Sequence, residues 1–181
     1  MKKELRIVMI LLLSIGIILN LCSCPCHLAE SYKEFNIKNI TGDVNENYFT
    51  SEEFAFARIQ NVVIIPQVKA INHGVYVVYV DAYSKSGKET VIIKNVLFKE
   101  NETVLFKNEL GNTIEFEQNT NSIYEGYING GTFTEESVQV ADGKKYDIII
   151  EVDVFDEGLN FSKNLTFEVN IKGYNQMVCP T

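Results

Sequence analysis

Tryptophan is absent from the 181 residues, proline occurs three times, histidine twice and cysteine four times, three of these within Cys22–Cys26. These shortages exclude most familiar catalytic chemistry. General acid–base work near neutral pH draws most often on histidine. Here His27 sits in a polar stretch, and His73 in Asn72-His73-Gly74 reads as a turn between strands. The chain has no G-x-S-x-G, no G-x-x-x-x-G-K-[ST], no H-E-x-x-H and no G-x-G-x-x-G, so no motif marks a serine nucleophile, a phosphate loop, a zinc site or a dinucleotide fold. Basic residues are also in short supply, 16 Lys and Arg against 24 Asp and Glu with a pI near 4.8. That balance excludes a nucleic-acid binder, which must replace counterions on phosphate with positive charge. The only long hydrophobic run is Ile7–Leu21, fifteen residues, short of the roughly 20 that span a bilayer as a helix.

That run follows the basic start Met-Lys-Lys-Glu-Leu-Arg and ends in Leu21-Cys22-Ser23-Cys24. Its length suits the apolar part of a secretory signal. The closing tetrapeptide resembles the lipobox of bacterial lipoproteins, with Leu three residues before a Cys and a small residue immediately before it. Cys22 and Cys26 fit worse, because Leu21 and Pro25 would then occupy the cleavage position. The resemblance implies processing before Cys24 and a diacylglycerol on its sulfur. With each buried CH₂ contributing about 0.8 kcal/mol, two or three acyl chains hold a protein on a membrane. It also implies a cell-envelope location, with the outer membrane or cell surface favoured over the inner membrane. A zinc reading of Cys22, Cys24, Cys26 and His27 is weaker, since C-x-C-x-C spacing is tight for a tetrahedral site and processing would remove Cys22. Of the mature thiols only Cys26 and Cys179 stay free. Outside the cytoplasm these two could pair and staple the ends of the chain.

From residue 24 onward there are 17 Val and 15 Ile but 6 Leu and 6 Ala. Branched residues suit a pleated surface, whereas helices favour Leu and Ala, so the composition predicts an all-β domain. Periodicity agrees: apolar residues alternate with polar ones along Tyr146–Val154 and Leu165–Lys172, the pattern of half-buried strands. Further strands are expected near 61–70, 75–83, 90–98, 103–110, 112–118, 123–128 and 133–140. Turn signals separate them at Ser84–Gly87, Gly111-Asn112, Asn129-Gly130-Gly131, Asp142-Gly143 and Asp156–Asn160. Strand 75–83 is apolar on both faces and should be central, while Pro66 suggests an edge strand with a kink. The spacing Thr50-Ser51-Glu52-Glu53 suggests a capping box before a short helix at 54–59. The expected division is a signal peptide at 1–23, a lipid-anchored tether at 24–50 and a β-sandwich at 51–181.

Val140-Ala141-Asp142-Gly143-Lys144-Lys145-Tyr146, followed by apolar Ile148, Ile150 and Val152, resembles the tyrosine corner of immunoglobulin and fibronectin type III domains. That resemblance implies an immunoglobulin-like sandwich of about seven to nine antiparallel strands, with 145–155 and 162–172 as its last two. The absence of Trp, and of Cys within the strands, separates the chain from antibody-type domains.

Charge is uneven. Residues 100–141 hold eight glutamates (Glu100, Glu102, Glu109, Glu115, Glu117, Glu125, Glu135 and Glu136) against Lys107 alone. Tyr124 and Tyr127 lie in the same stretch. Such a surface either keeps the domain solvated or docks a basic partner, with Tyr supplying contact area. Glu115, Glu117, Tyr124, Glu125, Tyr127, Glu135 and Glu136 are the candidate partner surface. Asp153–Gly158 is acidic but lacks the calcium-loop pattern and reads as a solvated turn. No catalytic, metal or cofactor residue is assigned. The expectation is a membrane-anchored, non-catalytic binding or structural module for another envelope macromolecule. One alternative is an immunity or inhibitor protein masking a basic toxin surface, and another is a carboxylate-dependent hydrolase. If the lipobox reading holds, Cys24→Ala releases the protein from the membrane fraction on cell fractionation; a variant that stays membrane-bound would remove that reading.

Overall fold

A computed structural model describes residues 27–72, 74–119, 122–141 and 144–178, with side chains described from residue 33 to 173. The body is Tyr32–Tyr174, and the described residues 27–31 and 175–178 fall in a separate unit. Among the described residues, ten strands and two short helices follow one another: β1 (His27–Ile37), α1 (Glu46–Thr50), a 3₁₀ helix (Glu52–Ala57), β2 (Arg58–Ile59), β3 (Val62–Asn72), β4 (Val75–Ser84), β5 (Thr90–Glu100), β6 (Thr103–Ile114), β7 (Glu117–Gln118), β8 (Tyr124–Thr134), β9 (Lys145–Asp156) and β10 (Leu159–Val178). The body is an all-β sandwich of two five-stranded sheets, ordered β1-β10-β9-β5-β6 and β2-β3-β4-β8-β7. The chain crosses between sheets after β1, β4, β6 and β8, and the pairs β3–β4, β5–β6 and β9–β10 are hairpins. Without the edge strands β1 and β2, this is the A-B-E-D against G-F-C order of immunoglobulin-like sandwiches, with β6 added beside β5.

The corner expected before β9 is present. Tyr146 is buried, and its hydroxyl accepts a 2.7 Å hydrogen bond from the Ala141 amide. Where antibody domains pack a Trp on an inter-sheet disulfide, this body has a cluster of rings. Phe98 of β5 stacks on Phe133 of β8 (centroids 5.5 Å apart) and on Tyr146 of β9 (5.3 Å), while Phe35 and Tyr76 pack edge-to-face at 4.9 Å beside them. Alternate residues of β9 and β10, from Ile148 to Val154 and from Leu165 to Ile171, complete the core. Strand 75–83 is central as expected. Pro66 does lie where, among the described residues, β3 has a free side, since β2 pairs with β3 only at Val62 and Val63.

Several expectations need correction. The folded body starts well before residue 51: Phe35, Tyr48 and Phe49 are core residues, and Tyr48 stacks on Phe54 at 3.9 Å. Apolar residues spaced among many Asn and Glu gave no periodic signal there, so 24–50 read as a tether. Gly111 and Gly130-Gly131 do not end strands. Gly111 (φ 77°) accompanies a register shift inside β6, and Gly131 (φ 121°) one inside β8, so the glycines make bulges while β5 and β4 hold both flanks in register. The expected strands 103–110 and 112–118 are therefore β6 plus the two-residue β7. The expected strand 133–140 is a turn, closed by Ser137 and Val138 amides on the Thr134 carbonyl, that drops Val138 and Val140 into the core. Ser51, not Thr50, caps the 3₁₀ helix, accepting from the Glu53 amide, and that helix runs 52–57. Asp142-Gly143 and His73 lie outside the described residues.

Two-residue turns with left-handed backbone suit antiparallel hairpins, and Glu157-Gly158 (φ 49° and 82°) is one, joining β9 to β10. Elsewhere glycine is required by close approach. A Cβ on Gly126 would lie 2.1 Å from the Glu115 carbonyl oxygen and 2.6 Å from Ile114 Cγ2, where the end of β6 crosses β8. Urea denaturation should show a loss of about 3–5 kcal/mol for Phe98→Ala, about 1 kcal/mol for Tyr146→Phe and about 1–3 kcal/mol for Gly126→Ala. An unchanged midpoint for Gly126→Ala would mean that β6 and β8 do not meet so closely.

Candidate functional site: an acidic cleft on the second sheet

Side chains alternate along β4. Tyr76, Val78, Val80 and Ala82 are buried, while Tyr79, Asp81 and Tyr83 reach the outer face. Register then decides their company, because directly paired residues share a face. Asp81 lies opposite Tyr127 of β8, Tyr83 opposite Glu125, and Glu125 opposite Glu117 of β7. Thr113 and Glu115 arrive from the end of β6 and the crossing after it. Together they line an open cleft of about 640 Å³. A neighbouring hollow of about 430 Å³ shares Tyr83 and Glu125 and is bounded by residues of the segments 35–44 and 65–69, Asp43 among them.

Electrostatics there are unbalanced. Glu117 and Glu125 are a like-charged pair directly across the β7–β8 ladder, an arrangement that costs stability. Glu125 accepts a 3.2 Å hydrogen bond from Asn119. Among the described residues, no ammonium or guanidinium forms an ion pair with Glu115, Glu117 or Glu125. Burial pushes the Asp81 carboxyl above the usual aspartate range and Glu125 adds to the shift, although Lys69 and the Gln67 amide that bonds to it act the other way. The Tyr83 hydroxyl is pushed up to about 12, by burial first and then by the charge of Asp81 and Glu125. Lys69 has its ammonium 5.4 Å from the centre of the Tyr79 ring. Tyr127 packs edge-on against Tyr79 at 6.2 Å and is otherwise open, 71% exposed. Chemically, the cleft presents several acceptor carboxylates beside an uncovered aromatic ring, which suits a cation.

No family model matches the chain, and no curated protein or solved structure matches it either.

Of the seven surface residues named from sequence, the fold brings Glu115, Glu117, Glu125 and Tyr127 into one cleft. Tyr124 is elsewhere, with its ring against Gly87. Glu135 is ten residues beyond Glu125, about 30 Å along an extended chain. It accepts a 2.6 Å hydrogen bond from Tyr76 and faces the Lys33 ammonium at 3.6 Å, which makes it part of the body's own wiring. Glu136 is exposed beside it. Glu100 and Glu109 pair with Lys144 and Lys107. One continuous acidic face is thus replaced by a smaller cleft. Sequence reasoning missed Asp81, Tyr83 and Asp43, although the alternation of 79, 81 and 83 held a signal for the first two. Near the acidic turn, Asp153 pairs with Lys94 at 2.8 Å and with Ser162, and these bonds hold its carboxyl below the usual range. No group of three or more metal-ligating side chains occurs among the described residues. Cys24, Cys26 and Cys179 lie outside the described residues, and with them the lipid site and the disulfide.

Two stability effects follow. Glu117→Gln should stabilise by a few tenths of a kcal/mol, on the order of other cross-strand charge terms, and the gain should fade in roughly 1 M salt. Because the folded state raises the Asp81 pKa, it binds that proton more tightly than the unfolded chain, and stability falls as pH climbs from the ordinary value of 3.8 through the raised one. Asp81→Asn should therefore melt above the parent at pH 7 and lose that advantage below the ordinary aspartate range. A variant less stable than the parent at pH 7 would mean that the Gln67 bond outweighs burial.

Proposed function

We propose that the protein is a lipid-anchored, non-catalytic binding module of the cell envelope, whose cleft around Glu117, Glu125, Asp81 and Tyr127 docks a basic surface of another envelope protein. The observation that carries the reading is the like-charged Glu117–Glu125 pair, which has no ion-pairing cation among the described residues and sits beside an uncovered Tyr127. A pair that costs stability is the kind of local conflict that concentrates at functional sites. Attachment through Cys24 would confine the module to a surface and raise its effective concentration toward a partner there. An inhibitor that masks a basic toxin surface would use the same chemistry, so the partner's identity separates the two.

The test is affinity capture from envelope extract, with the full chain as bait beside a bait carrying Glu115→Gln, Glu117→Gln and Glu125→Gln. A basic protein retained by the parent, released by salt and lost with the triple variant is the expected result. If both baits retain the same proteins, the cleft is only solvated and the reading falls.

A further inference from the structure

β3 is eleven residues long, yet β2 covers its outer side only at Val62 and Val63. Among the described residues, that side has no strand partner from Ile64 to Asn72. Pro66, opposite Val80, sets the phase. It has no N–H to give β4, so its position belongs to the outward-facing set of the antiparallel ladder. Val68 and Ala70, two and four residues on, direct their N–H and C=O groups the same way, before the register shift at Ile71. Beside this edge lies the 430 Å³ hollow, whose lining includes apolar Ile37, Ile40 and Val68 as well as acidic Asp43 and Glu125.

We infer that the open edge of β3 receives an extended, basic segment of the partner as an added strand alongside Val68 and Ala70; this rests on the cleft reading above and specifies how the partner is held. Strand addition draws its affinity from main-chain hydrogen bonds and its selectivity from alternate side chains. Here one set of side chains meets the apolar wall of Ile37, Ile40 and Val68. Asp43 lines the same hollow, and its charge favours positively charged side chains in the added strand. The edge also carries devices that discourage indiscriminate pairing: Pro66 removes a donor, Lys69 places a charge, and the shift at Ile71 breaks the register. They confine addition to the short window between Pro66 and Ile71.

The test uses the full chain in detergent and a labelled, end-capped peptide of about nine residues alternating Lys and Val, long enough to lie along the window at about 3.3 Å per residue. The same peptide with Glu for Lys is the control. The Lys peptide should bind and the Glu peptide should not. Val68→Pro removes one outward donor without touching the β4 ladder and should weaken binding about tenfold, the equivalent of one main-chain hydrogen bond, whereas Val68→Ala, which keeps that donor and trims only its share of the apolar wall, should weaken it less. Amide exchange at Val68 and Ala70 of the parent protein should slow in the complex, a readout that stands even if Val68→Pro folds poorly. Failure of the Lys peptide to bind, equal binding of both peptides, or unslowed exchange at Val68 and Ala70 would overturn the inference. So would a concentration-dependent dimer of the protein abolished by Val68→Pro, since the edge would then be covered by a second copy. Partner capture that depends on Glu117 and Glu125 but survives Val68→Pro would remove strand addition alone and leave the cleft reading standing.

Discussion

The ring stack of Phe133, Phe98 and Tyr146 is the contact on which the rest of this body depends. Phe98 and Tyr146 come from one sheet and Phe133 from the other, so the stack sets how the two sheets face each other. Rings are large, and burying them supplies much of the apolar free energy available to a domain of this size. In antibody domains a Trp and a disulfide occupy the equivalent role; this chain has no Trp and no Cys between residues 27 and 178. Tyr146 adds a second function, because its hydroxyl ties the crossing from β8 to β9 at Ala141. Lys33 and Glu135 extend the same region to β1: Lys33 donates to the Val140 carbonyl at 2.7 Å, and its amide donates to the Tyr76 hydroxyl. Core packing and chain reversal are thus coupled at one end of the body.

With the inner faces committed, the outer face of β4 and β8 is left to carry polarity. Strand alternation makes this automatic, since Val80 and Ala82 cannot be inside unless Asp81 and Tyr83 are outside. The neighbouring strands then add charge of one sign, and the small Gly126 lets the end of β6 come close enough to bring Glu115 in as well. A partner supplying positive charge would relieve a repulsion that the isolated protein must bear. Stability and binding would in that case pull against each other at the same residues, a compromise common to functional sites.

Legibility was uneven, for physical reasons. Regular alternation made β9 and β10 readable, because nearly every even or odd position obeys the period of two, and the Asp142–Tyr146 stretch announced the corner. Glycine was harder. Gly111 and Gly131 look like turns locally, and only pairing on both flanks turns them into bulges. The segment 33–50 was unreadable because its apolar residues follow neither period, and their burial is decided by distant rings such as Tyr76 and Phe133. The acidic stretch was visible as composition. Its division was not, because the partners of Glu100 and Glu135 are Lys144 and Lys33, far away in sequence.

By itself the sequence determined the all-β class, the central place of Val75–Tyr83, the corner at Tyr146 and the surplus of negative charge. All of these follow from local period, residue type or count. Tertiary structure alone decided which glutamates meet, that Asp81 and Tyr83 join them, and that β3 has no strand partner beyond Val63 on its outer side among the described residues. Those outcomes depend on strand order and register, which bring together residues tens of positions apart through pairing energies that no local window contains.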